Sequence, residues 1–157
     1  NFTSCLKPTA MDPGLRKELE AIVQECMKSF DGSHDYYHVQ RVRNLALQIA
    51  AKEGIKDLQL VELAALLHDV NDHKYVSSDE EKSADSNQRI REILNKYAIS
   101  QETQDKVKLI IDNMSFSKEI KIKQSANKQE YAEYLKLCQT TPELGCVQDA
   151  DRLDAIG

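Results

Sequence analysis

The stretch Leu58-Gln59-Leu60-Val61-Glu62-Leu63-Ala64-Ala65-Leu66-Leu67-His68-Asp69 decides the fold. Leu60, Val61, Leu63, Ala64, Ala65, Leu66 and Leu67 leave almost no polar face, and no breaker interrupts them. The pattern predicts a helix over residues 58–68 that other helices surround. An imidazole and a carboxylate come directly after the apolar run. Such groups are costly to bury unless paired or bound to a cation, so their placement argues against an idle, solvated pair.

Upstream, Asp12-Pro13 has the form of an N-cap followed by proline at the first helical position. Leu15, Leu19, Ile22, Val23 and Cys26 then recur at helical spacing, predicting a first helix that ends near Gly32. A second helix over residues 37–51 turns Val42, Leu45, Ala46, Ile49 and Ala50 inward and stops at Gly54; His38 and Arg41, three residues apart, share a neighbouring face. Downstream, residues 79–97 carry Ile90, Ile93, Leu94 and Tyr97 on one side, and Ser100 caps a fifth helix bearing Val107, Ile110, Ile111 and Met114. Over residues 118–129, Ile120 and Ile122 alternate with lysines, so a short ribbon or exposed loop competes with helix. Residues 130–138 form another helix, and Thr141-Pro142-Glu143 starts a last one carrying Asp149, Asp151 and Asp154. With no internal repeat, glycine-rich phosphate loop or strand-helix alternation, the expected fold is an all-α, single-domain helical bundle rather than a Rossmann or P-loop domain.

A chain of 157 residues, 41% of them hydrophobic, supports one core. Residues 1–11 show no amphipathic period and are expected to be a leader left from expression or a disordered arm, with the domain over 12–157. The net charge of −5 gives no basis for broad attraction to a polynucleotide. Cys5, Cys26, Cys138 and Cys146 lie far apart, without the spacing of a thiolate zinc site or a disulfide framework. No apolar run approaches the roughly 18 residues of a membrane span, and the first residues lack a secretion signal. A soluble cytoplasmic protein is expected, with the nucleus as the second possibility.

Taken singly, His38 fits a polar helix face, His68 a hydrogen-bonded core histidine and Asp69 a cap of the next turn. Together with one aspartate of Gln148-Asp149-Ala150-Asp151-Arg152-Leu153-Asp154, they can build one divalent-metal site. Two imidazoles and two carboxylates suit manganese, magnesium, iron, nickel, cobalt or zinc, so the identity stays open.

The segments Ser33-His34-Asp35-Tyr36-Tyr37-His38-Val39-Gln40-Arg41-Val42, Leu66-Leu67-His68-Asp69-Val70-Asn71-Asp72-His73-Lys74-Tyr75, Ser115-Phe116-Ser117-Lys118 and Val147-Gln148-Asp149-Ala150-Asp151-Arg152-Leu153-Asp154-Ala155-Ile156-Gly157 occur in that order. In this the chain resembles the HD-domain metal-dependent phosphohydrolases over about residues 15–157, and within them the small stand-alone hydrolases, some of which are nucleotide pyrophosphohydrolases. The resemblance implies His38, His68, Asp69 and Asp151 as metal ligands, with Asp149 and Asp154 as competitors for the last place. On a helical wheel Asp151 and Asp154 share a face, whereas Asp149 stands about 160° from Asp151.

The resemblance also implies metal-assisted attack of water on a phosphoester or phosphoanhydride bond of a small nucleotide, a nucleoside triphosphate first. Lys74 and Lys118, with Arg41 as the weaker candidate, could neutralise phosphate oxygens. Asp72 could orient the attacking water or hold His73, and together with Lys74 it is the candidate catalytic pair. His34 and His73 are candidate supports of the ligands. Asn71-Asp72 replaces the Glu-Asp pair of alarmone hydrolases, which disfavours that substrate, and the signature of cyclic dinucleotide phosphodiesterases is missing. The family's last helix normally continues beyond Asp-Ala-Ile-Gly, so a domain cut short at Gly157 is expected. The alternative is a non-catalytic HD module that binds a nucleotide or a protein partner.

Overall fold

The computed structural model describes residues 11–27, 36–70, 80–114 and 116–156. Among these the chain is all helical: α1 (Pro13–Met27), α2 (Tyr36–Lys52), α3 (Leu58–Leu67), α4 (Glu80–Lys96), α5 (Gln101–Asn113), α6 (Phe116–Gln124), α7 (Lys128–Thr140) and α8 (Pro142–Ile156). The expected end of the first helix near Gly32 lies outside the described residues.

The central helix is α3, packed against α1, α2, α5 and α8. Every residue from Leu60 to Leu67 is buried, which is what an apolar surface without a polar stripe requires. Full burial of each leucine contributes about 2–3 kcal/mol, enough to fix which helix lies inside. Asp57 starts α3 as its N-cap, accepting from the Leu60 amide at 3.1 Å. One charged residue interrupts the run. Glu62 is 3% exposed and is met by Arg16 of α1, whose Nε and Nη2 donate to its two carboxylate oxygens at 2.6 and 3.2 Å.

The first helix begins as expected, with Asp12 Oδ1 accepting from the Gly14 amide at 2.7 Å. Leu15, Leu19, Ile22 and Val23 are buried, and Ile90 and Leu94 of α4 close over that side. The stretch whose isoleucine-lysine alternation allowed a ribbon is instead the helix α6. There Ile122 is buried, and Glu119 bridges Lys123 one turn later at 3.0 Å and also Arg152 of α8. Alternation over so few residues does not distinguish a strand from one face of a short helix; contacts to other helices decide it. Asn127 caps α7 by accepting from the amides of Gln129 and Glu130, and α7 starts two residues before its expected place. Thr141 ends α7, and Pro142 starts α8 where its missing N–H costs nothing.

Candidate metal centre

Three helices meet at the end of α3. His38 lies in the first turn of α2, His68 and Asp69 come directly after the last residue of α3, and Asp151 and Asp154 project from α8. The helix α8 packs on α2 and α3, and its rotation is fixed from within. Buried Gln148 donates from Nε2 to the Met114 carbonyl and to the Tyr134 hydroxyl, both at 3.3 Å. With that side held, Asp151, three residues later, turns toward the two imidazoles.

His68 closes α3 in helical conformation, and its Nδ1 lies 2.6 Å from the Ala65 carbonyl. A carbonyl can only accept, so Nδ1 carries the proton and Nε2 presents its lone pair. That lone pair faces Asp69 Oδ1 at 3.3 Å and Asp151 Oδ1 at 3.6 Å. His38 Nε2 lies 3.2 Å from Asp151 Oδ1 and 3.6 Å from Asp69 Oδ2. The two rings stand edge to face with centroids 5.6 Å apart. One ligand atom from each of His38, His68 and Asp69 lies within 4.8 Å of the others. Of the three aspartates on α8, Asp151 is the one whose oxygen comes within 3.6 Å of Nε2 on both rings.

Such convergence of lone pairs demands positive charge. Hydrogen bonding to Asp151 is the chief cause that pushes the His38 imidazole up to about 9, working against burial and assisted by Asp154 and Asp69. In His68, burial works to lower the imidazole, but Asp151 and Asp69 prevail and hold it above its ordinary value. Burial works to raise Asp151, but the two imidazoles outweigh it and hold the carboxyl well below the usual range. A divalent cation offers the same compensation and competes with those protons. Two atoms favour a cation. His68 Nε2 and Asp69 Oδ2 are buried and make no hydrogen bond among the described residues, and His68 Nε2 faces carboxylate oxygens, which have no proton to donate when ionised. The residues present therefore fit a divalent ion. His68 and Asp69 are 7% and 5% exposed, whereas the Asp151 side chain is 38% exposed, so the cluster reaches solvent on the α8 side.

The remaining candidates divide. His34, Asp72, His73 and Lys74 lie outside the described residues. Lys118 is exposed at the start of α6, where its Nζ donates to the Asp112 carbonyl at 3.0 Å. Arg41 is engaged with Asp154, through Nε to Oδ1 at 2.7 Å and Nη2 to Oδ2 at 3.2 Å. Asp149 is exposed and is raised by burial and by the neighbouring Glu53 carboxylate. Asp154 is the residue whose place sequence reasoning missed: its Oδ2 lies 2.6 Å from His38 Nδ1, on the other nitrogen of the ring. The available signal was the face that it shares with Asp151.

A helical bundle that gathers two histidines and two aspartates at the end of its central helix is the architecture of an HD domain. The sequence model of the HD domain matches residues 35–156, and the chain belongs to that family. Members of this family are generally metal-dependent phosphohydrolases, and the His-Asp group fits that description. The uncharacterized protein YpgQ of Bacillus subtilis (strain 168) is similar, with 34% identity over 141 residues, which cover 90% of this chain and 60% of that protein. The chain thus matches less than two thirds of its relative's length. No solved structure matches it. No described helix is long and apolar enough to cross a membrane.

Proposed function

We propose that this chain is a metal-dependent phosphohydrolase acting on a small nucleotide, with a nucleoside triphosphate as the first substrate to try. The observation that carries the reading is the pair of buried, unsatisfied atoms His68 Nε2 and Asp69 Oδ2, facing Asp151 and His38 at one point. His38, His68, Asp69 and Asp151 would hold the ion. When bound, a divalent ion acidifies water and offsets the charge of a phosphoryl group.

The chain's own groups prepare that chemistry. The Ala65 carbonyl fixes the His68 tautomer, and the apolar wall of α3 excludes water from the inner side of the cluster. Asp151, partly open to solvent, lies on the side from which a phosphate would enter. Asp72 is assigned to orient the attacking water, Lys74 and Lys118 to neutralise phosphate oxygens, and His34 and His73 to support the ligands. Arg41, with Nε and Nη2 on Asp154, has less of its guanidinium available for phosphate.

The reading is tested by incubating manganese-loaded protein with a panel of nucleoside mono-, di- and triphosphates and measuring phosphate and pyrophosphate release. Turnover should depend on the ion, vanish with chelator, and fall to background in Asp69→Ala and His68→Ala. Nucleotide binding that survives chelation, with no turnover anywhere on the panel, would instead establish a non-catalytic binding module.

A further inference from the structure

Asp154 has the contacts of a group that aims a ligand rather than one that binds the ion. Its Oδ2 lies 2.6 Å from His38 Nδ1, while the other ring nitrogen, Nε2, faces Asp151 and Asp69 at 3.2 and 3.6 Å. The imidazole therefore stands between Asp154 and the cluster. Arg41 holds the same carboxylate as a fork, Nε to Oδ1 at 2.7 Å and Nη2 to Oδ2 at 3.2 Å, and the Asp154 side chain is only 10% exposed. An imidazole presents a lone pair at one nitrogen only while the other carries the proton, and a carboxylate accepting from Nδ1–H fixes that choice and the ring's rotation.

We propose that Asp154 is a positioning residue of the cation site: held by Arg41, it accepts the Nδ1–H of His38 and so keeps Nε2 directed at the point shared by Asp69, Asp151 and His68. The inference rests on the cation-site reading above. It also assigns Arg41 a task at the site other than phosphate binding. His38 and Arg41, three residues apart on α2, bracket one side chain of α8, so the contact that aims the ring also joins the two helices that bring Asp151 to it.

The test uses the chelator-stripped full chain and manganese(II), with free ion measured by electron paramagnetic resonance. Wild type is compared with His38→Ala, Asp154→Ala, Asp154→Asn and the double variant His38→Ala/Asp154→Ala, and the metal-free melting of each is recorded by circular dichroism. Asp154→Ala should weaken manganese binding by about 10- to 100-fold, and Asp154→Asn, which keeps an acceptor oxygen, by about tenfold or less. In the His38→Ala background, removing Asp154 should change the affinity by less than about twofold, because its effect passes through the ring. Nitrogen-15 spectra of the zinc-loaded protein should show His38 protonated at Nδ1 in the wild type and not uniformly so in Asp154→Ala. If Asp154→Ala does not fold, Asp154→Asn and its spectra carry the comparison.

A lowered melting temperature with unchanged manganese affinity and an unchanged His38 tautomer would reduce the contact to helix docking and overturn the proposal. An Asp154→Ala penalty as large in the His38→Ala background as in the wild-type background would overturn it too, by making Asp154 act independently of His38. Failure of wild type to bind manganese is a different result, which removes the cation site itself.

Discussion

Glu62 is the residue whose chemistry conflicts most with its surroundings. The conflict is resolved by Arg16 alone among the contacts described for it. Removing Arg16 leaves a carboxylate 3% exposed without compensation, whereas removing Glu62 leaves a guanidinium whose side chain is 35% exposed and can reach water. Urea unfolding should therefore show Arg16→Ala to cost about 3 kcal/mol, Glu62→Ala distinctly less, and the double change Arg16→Met/Glu62→Leu close to nothing. Equal costs for the two single variants would contradict this asymmetry. Cys146 supplies a pH dependence. Burial, reinforced by Glu53, pushes its thiol up to about 12 from an ordinary 9.0. Below pH 9 both folded and unfolded chains keep the proton; between 9 and about 12 only the unfolded chain releases it, so this part of the stability is lost as pH rises. The contribution to the slope is at most about 1.4 kcal/mol per pH unit, and Cys146→Ala should remove it from unfolding curves at pH 9 to 10.5. At this scale the sequence was legible where burial conflicts with polarity, as at His68-Asp69 after an apolar run. It was not legible for Asp154. A helical wheel places Asp151 and Asp154 on one face but cannot tell which carboxylate meets Nε2 of a ring on another helix and which meets Nδ1.

Two helices end in the same way with different residues. After α2, the Ile55 amide bonds to the Ala50 carbonyl and the Gly54 amide to that of Ala51; after α4, Ile99 bonds back to Leu94 and Ala98 to Asn95. Both endings need a left-handed residue, and they use Gly54 at φ 73° and Ala98 at φ 57°. Ala98 bears the steric cost of its Cβ there and is exposed, so little packing offsets that cost. Thermal unfolding should show Ala98→Gly to stabilise by about 0.5–1 kcal/mol and Gly54→Ala to destabilise by a similar amount; the opposite signs would refute the assignment of these endings. Gly54 announced its turn in the sequence, whereas Ala98 did not, since alanine is the best helix former and gives no stop signal. The same limit explains α6. Its helical state rests on Glu119 reaching Arg152 across to α8 and on burial of Ile122, and neither contact is contained in the local pattern.

Across the whole molecule, the site originates in how α3 is buried. An apolar helix enclosed by α1, α2, α5 and α8 must deliver the residues after Leu67 to the place where those helices converge, and those residues are His68 and Asp69. The bundle, and the placing of His68 and Asp69 at the end of its central helix, could be expected from the apolar patterning, whereas the choice of Asp151 among the aspartates of α8 was implied by the resemblance to the HD family. Asp72 and Lys74 lie outside the described residues, and for their roles the sequence remains the guide. The proposed function requires His38, His68, Asp69 and Asp151 to hold one divalent ion. Equilibrium dialysis of chelator-stripped protein against manganese(II), with elemental analysis of the dialysed chain, tests it most directly. Wild type should take up one ion per chain, and Asp69→Ala and His68→Ala should lose affinity beyond the about 10- to 100-fold that outer partners carry. A wild-type chain that takes up no ion, or an Asp69→Ala chain that binds it as tightly as wild type, would contradict it.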